Sequence, residues 1–263
     1  MKLSQASTQL CVYDETQIFV RDQNLCDGLI GKVSFTRYLF FLTLGRFPSQ
    51  AEETIVDAAL VMLAEHGLTP SVIAARLTYM GAPESLQGAV AAGLLGVGDQ
   101  FVGTVELVAP LLEEIVAHLE GPDQATDEIV TRYRATRTPL PGFGQPHHKP
   151  DDPRSPALFA VAERVGASGK YVQALKLLGQ KVDLSLGRHM TINAPGAMAA
   201  VFLEIGVPLS IMRGFVLVSR CAGLVAHLHE EQTSPAGRAL WTAAGAGVSY
   251  TGSASVDRTE TPK

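Results

Sequence analysis

Apolar residues recur at three- and four-residue spacing along most of the chain, and the runs are broken at Gly, Pro and Ser, a pattern that predicts stacked helices. The opening stretch LCVYDETQIFVRDQNL, Leu10 to Leu25, is different: it alternates weakly around Asp14-Glu15 and predicts a short hairpin or an irregular arm. After Ser34 the reading becomes helical and stays so. Ser49 and Glu52 form a capping box ahead of apolar positions that continue to Leu63, with Gly67 as the stop. Thr69-Pro70 predicts a cap followed by a first-turn proline, and Gly81 a left-handed terminator. Further helices are predicted over 83–98, 102–119, 123–137, 155–166, 170–182, 194–206, 208–231 and 234–247. Strand signals are nearly absent, so the expected class is all-α. Two segments stand outside the pattern: the Pro-rich loop 139–154, and a small, polar tail from Ser249 that is expected to be disordered.

Glycine- and alanine-rich stretches such as GAVAAGLLGVG allow helix axes to approach closely, as a large bundle or a helix-mediated dimer requires. With 263 residues, 46% of them apolar, there is enough for one large domain or two modest ones. A net charge of -5 with no basic block argues against nucleic acid or an anionic membrane surface as the main partner; a small anionic ligand needs only a few local cations. Cys11, Cys26 and Cys221 are an odd, scattered set, which points to neither a disulfide framework nor a zinc site and suits a reducing cytoplasm. The first ten residues lack the apolar core of a signal peptide. Gly, Arg220 and His66 interrupt the apolar runs, so no membrane span is expected.

The chemistry is concentrated in PGFGQPHHKPDDPR, Pro141 to Arg154. His147, His148, Asp151 and Asp152 are residue types that bind transition metals, but their spacing fits no closed site, and no metal is expected.

This loop resembles the GxGHxxxKxxDPR signature of the citrate synthase superfamily, and four other motifs surround it in matching order. They are RDQNLCDGLIGKVSFTRYLFFLTLGRFPSQAE, AEHGLTPSVIAARL, GLLGVGDQFVG and GFVLVSRCAGLVAHLHEE, so the likeness runs over about residues 18 to 241. The chain is similar in size to the citryl-CoA lyases, including the C-terminal module of ATP-citrate lyase, and shorter than the citrate synthases; GDQFVG also resembles the lyase form, with Phe101 where synthases carry histidine. The resemblance implies a homodimer. It implies a large helical domain over 1–110 and 207–248, with a smaller one over 111–206 between.

The same resemblance implies cleavage of a carboxylated 3-hydroxyacyl-CoA, citryl-CoA or an analogue, to acetyl-CoA and an oxo acid. The CoA thioester is then a substrate, and no metal or tightly bound cofactor is expected. Ligand carboxylates fall to Arg154, Arg220 and His66, with Arg238 supplied across the dimer interface; a guanidinium fork binds a carboxylate bidentately. Lys149 and Lys181 are candidates for CoA phosphates. Two positions depart from the family pattern. Gln145 stands where the family has its loop histidine, and Pro195 where it has an aspartate. Gln145 can still donate to a carbonyl oxygen, while His147 or His148 could take over proton transfer. Asp99, Asp151, Asp152 and Glu230 are the carboxylates left to consider. Loss of the usual acid-base pair leaves open a second reading, a non-catalytic relative that binds a CoA thioester or carboxylate.

Overall fold

The computed structural model describes residues 6–252, and in them the chain forms eleven α-helices and three short strands. Strands β1 (Cys11–Tyr13), β2 (Ile18–Val20) and β3 (Gln23–Asn24) pair antiparallel in that order, with Tyr13 opposite Ile18. The Asp14 carboxylate closes the first turn by accepting the amide N–H groups of Thr16 at 2.8 Å and Gln17 at 2.9 Å. Of the two forms open for this stretch, the hairpin is the one adopted.

The helices are α1 (Phe35–Leu44), α2 (Gln50–Ala64), α3 (Pro70–Gly81), α4 (Leu86–Leu95), α5 (Val105–Ala117), α6 (Pro122–Thr136), α7 (Arg154–Arg164), α8 (Lys170–Leu186), α9 (Ala194–Glu204), α10 (Leu209–Thr233) and α11 (Gly237–Gly247). The capping box at α2 forms in both directions, with Ser49 Oγ accepting the Glu52 N–H at 3.3 Å and the Glu52 carboxylate accepting the Ser49 N–H at 2.7 Å. Gly81 does not terminate α3 in the left-handed region. It is the last helical residue, and the chain leaves the helix at Ala82, φ -145°. The cause is one residue further on, because Pro83 disfavours helical backbone at the residue before it. Of the expected tail, 253–263 lie outside the described residues.

The chain divides into two compact units, the first comprising residues to His66 with Val97–Gly223, the second Gly67–Gly96 with Leu224 onward. These lines differ from a division at 110 and 206. Residue 110 falls inside α5, whose Val105, Val108, Leu112 and Ile115 all enter one core.

In the first unit α9 is the central helix, packed against α2, α5, α7 and α8. Its sequence is apolar on every side before Glu204, and Ala194 through Phe202 are all buried. Glu204 then receives the first-turn amides of α8, with Tyr171 N at 2.7 Å and Val172 N at 3.0 Å. The second unit packs α3 against α4 and α11 around Val72, Ala75, Ala89, Leu224 and Leu228. Helix α10 passes from one unit into the other at Gly223. Arg220 does not interrupt it: among the described residues it is the one helix long and apolar enough to cross a membrane, and its Met212, Phe215 and Val216 are already in the first unit's core.

The first turn of α9 lies directly on the Pro-rich loop. A Cβ added at Gly196 would meet the Gly142 carbonyl oxygen at 2.8 Å and its Cα at 3.0 Å, both backbone atoms with little freedom to move. Gly196→Ala is therefore expected to destabilise by about 1–3 kcal/mol, although alanine is the better helix former by about 1 kcal/mol. Urea unfolding of the two proteins measures this; equal or greater stability in the variant would remove the close contact as a constraint.

Candidate carboxylate-binding site

The loop after α6 is held as a strip along residues 190–193. Gly144 N donates to Thr191 O at 2.8 Å, Asn193 N to Gly142 O at 3.0 Å, and Ser155 Oγ to Ile192 O at 2.8 Å. Thr191 Oγ1 donates to Pro150 O. The Gly-Phe-Gly turn needs its glycines, because Gly142 and Gly144 have φ of 88° and 85°. Asn193 completes the strip: it caps α9 by accepting the Gly196 N–H at 3.0 Å and donates through Nδ2 to Gly144 O at 3.3 Å.

This strip fixes Asp152 and Arg154. Asp152 is fully buried and accepts from Arg154 three times, from the backbone N–H at 3.1 Å, Nε at 3.0 Å and Nη2 at 2.8 Å. Burial pushes the Asp152 carboxyl up, and the bonds from Arg154 outweigh it, so the group ends below the usual carboxylate range. One edge of the Arg154 guanidinium is thus committed to Asp152.

His66, just beyond α2, meets the loop from the other end of the sequence. Its Nε2 is 2.9 Å from His148 Nε2. One nitrogen of such a pair must carry the proton and the other accept it. Burial first, then the Arg154 guanidinium and the neighbouring His148 ring, lower the proton affinity of His66. The His147 ring is 6.0 Å from that of His66, centre to centre, and is exposed.

Arg220 is the most unusual member. It is 1% exposed, and its Nε and Nη1 have no hydrogen-bond partner among the described residues. Burial lowers its proton affinity, the Glu65 carboxylate opposes that, and the Arg154 charge adds to it. A buried guanidinium with unsatisfied N–H groups is costly in isolation, and a carboxylate placed against it removes the cost.

Other sequence candidates have different surroundings. Gln145 Oε1 accepts the His147 N–H at 2.6 Å, so that oxygen shapes its own turn. Lys149 is exposed and reaches Gln145 O at 3.3 Å. Lys181 ties α8 to α6 through Asp123 at 3.2 Å and Asp127 at 2.9 Å. Arg238 lies in the second unit, exposed, with its guanidinium 5.0 Å from the Trp241 ring centre. Pro195 is buried in the first turn of α9. Each of the four carboxylates considered has a cationic neighbour: Asp99 bonds Arg213, Asp151 faces His189, Asp152 holds Arg154 and Glu230 bonds Arg76. Among the described residues no three His, Cys, Asp or Glu side chains are grouped to hold a metal ion. A cavity of about 300 Å³ adjoins the strip, lined by Tyr133, Arg134, Arg137, Leu140, Phe143 and Met190 among others.

The fold is a stack of helices, and around the Pro-rich loop it brings His66 against His148 and places Arg154 near enough to buried Arg220 for their charges to interact. The chain matches the family described as citrate synthase, C-terminal domain, over residues 23–240, and it belongs to the citrate synthase family. The structure of citryl-CoA lyase from Hydrogenobacter thermophilus superposes with a TM-score of 0.84 at 29% identity, covering 98% of each chain. ATP citrate lyase from Methanosaeta concilii, solved with (3S)-citryl-CoA, superposes at 0.78 with 16% identity over 97% of this chain and 43% of that one, a likeness of fold. A citrate synthase from Acidithiobacillus ferridurans is 24% identical over 202 residues, 74% of this chain and 50% of the relative. The chain spans about half the length of the curated relatives it matches.

Proposed function

We propose that the protein is a carbon-carbon lyase that cleaves citryl-CoA, or a close 3-hydroxyacyl-CoA analogue, to acetyl-CoA and an oxo acid. The observation that carries this reading is buried Arg220 with two unpartnered nitrogens, close enough to Arg154 for their charges to act on one another. Likeness over 98% of the chain to a citryl-CoA lyase supports cleavage as the direction.

On this reading Arg220 and the free edge of Arg154 hold substrate carboxylates, with His66 as a further donor. His148 takes the proton of the tertiary hydroxyl, the neighbouring carbon-carbon bond breaks, and its electron pair passes into the thioester as an enolate. That proton returns to the enolate carbon as acetyl-CoA forms, so the step balances without a co-reactant. His148 fits better than His147 because it is the one bonded to His66. Gln145 keeps its amide NH2 for the thioester oxygen. The Arg134- and Arg137-lined cavity suits the CoA nucleotide, and Lys149 a phosphate. We further propose a cytoplasmic homodimer in which Arg238 serves the partner's site.

The test is to mix the purified protein with citryl-CoA and follow acetyl-CoA and oxaloacetate, with light scattering on the same sample expected to give a dimer mass. Turnover is expected, lost in Arg154→Ala and reduced about a hundredfold in kcat by His148→Gln, with His147→Gln near wild type. Saturable citrate and CoA binding without turnover would overturn cleavage. Equal losses from both histidine variants would overturn the assignment to His148.

A further inference from the structure

We infer that His189 is a positioning residue for the substrate loop, an imidazolium pin that ties Asp151 to Asp183 of α8 and thereby holds Arg154 in place. The inference rests on reading this loop as the carboxylate binder. Its Nδ1 lies 2.6 Å from Asp183 Oδ2 and its Nε2 2.9 Å from Asp151 Oδ1. Both ring nitrogens therefore face carboxylate oxygens, and only the doubly protonated ring donates to both. A neutral ring leaves one carboxylate opposite a lone pair.

The pin adds a side-chain tie at Asp151 to those made at Pro150 by Thr191 and at His148 by His66. The second oxygen of Asp183 accepts the Met190 N–H at 2.7 Å, which anchors the start of the strip that holds Gly142 and Gly144. Asp151 is adjacent in sequence to Asp152, whose carboxylate orients Arg154 through three bonds. Displacement of Asp151 is thus passed on over a single peptide unit. The charged groups acting on His189 are Asp183 from α8 and Asp151 from the loop, and both raise its proton affinity. Because the folded value lies above that of the unfolded chain, the pin's contribution is complete below about pH 6.5 and is lost as pH rises through the raised value. The ring is 48% exposed, so the contribution is small and weakens with salt.

The experiment is histidine NMR on the full-length protein, with amide hydrogen exchange and citrate binding on the same samples. His189 is identified by the resonance missing in His189→Gln. It is expected to titrate above the ordinary imidazole value and to move back toward it in Asp151→Asn or Asp183→Asn. His189→Gln should speed exchange at Met190 and Gly144 and weaken citrate about two- to fivefold at pH 7. His189→Lys, one charge between the same carboxylates, should restore affinity at pH 7 and hold it as pH rises to about 9, where a histidine at this position loses its charge. An ordinary titration, or wild-type exchange in His189→Gln, overturns the pin. If the wild-type chain binds no citrate, the carboxylate reading fails on its own, while titration and exchange still decide whether His189 pins the loop.

Discussion

Replacing Arg220 with Met is expected to raise stability and nearly abolish carboxylate binding in the same protein. Arg220 is 1% exposed, its Nε and Nη1 lack partners among the described residues, and burial lowers its proton affinity. A buried polar group without a partner costs about 1–3 kcal/mol, and a charged one more, so an apolar side chain of similar reach should gain at least that much. Methionine adapts to the space because its thioether chain is flexible. Binding should move the other way. A desolvated, hydrogen-bonded charge pair is worth about 2–5 kcal/mol when one partner is removed, so citrate affinity should fall roughly thirtyfold to several thousandfold. Urea unfolding and calorimetric titration with citrate measure the two effects. A variant that loses stability and keeps its affinity would make Arg220 a structural residue and remove the basis of the proposed site.

Such a stability-for-binding exchange was legible in the sequence only in part. Arg220 stands in VLVSRCAGLVA, where no solvent-facing explanation is comfortable, and the loop ending at Arg154 announces its chemistry by composition. Most of the helices follow from apolar spacing because they bury one face. Even α9, apolar on every side before Glu204, reads as helix over 194–206, and the structure adds the Asn193 cap. The misreading at Gly81 came from giving glycine priority over the proline two residues later. That His148 and not His147 bonds His66 needed distance, since neighbouring residues in an irregular loop share every sequence feature yet point to different places. His189 was missed for a related reason. A single histidine after a helix carries no pattern, and its partners are 6 and 38 positions away in sequence.

Arg76, the other fully buried arginine, is expected to behave in the opposite way to Arg220. It lies in the second unit at 2% exposure, and its Nη1 donates to Glu231, itself 3% exposed, at 2.5 Å. Its Nε donates to His227 Nδ1 at 3.2 Å, and Glu230 takes a further bond. Glu231 is doubly employed, because its carboxylate also accepts the Gly237 N–H at 2.6 Å and the Ala236 N–H at 2.9 Å, where α11 begins. Arg76→Leu therefore removes one charge and strands the other, at an expected cost of about 3–5 kcal/mol. Burial pushes the Glu231 carboxyl up, and the Ala236 and Gly237 amides, with Arg76, bring it below the ordinary value. A depressed carboxylate contributes stability above its unfolded pKa and loses it as pH falls through the folded value. Without Arg76 the carboxyl moves upward, so the acid limb of the stability curve should shift to higher pH. Arg76→Leu combined with Glu231→Leu should recover part of the loss, since no lone charge is then buried. Urea unfolding from pH 4 to 8 on the three proteins measures both effects, and a single variant within about 1 kcal/mol of wild type would show that exposed groups and not this pair hold α3 to α11.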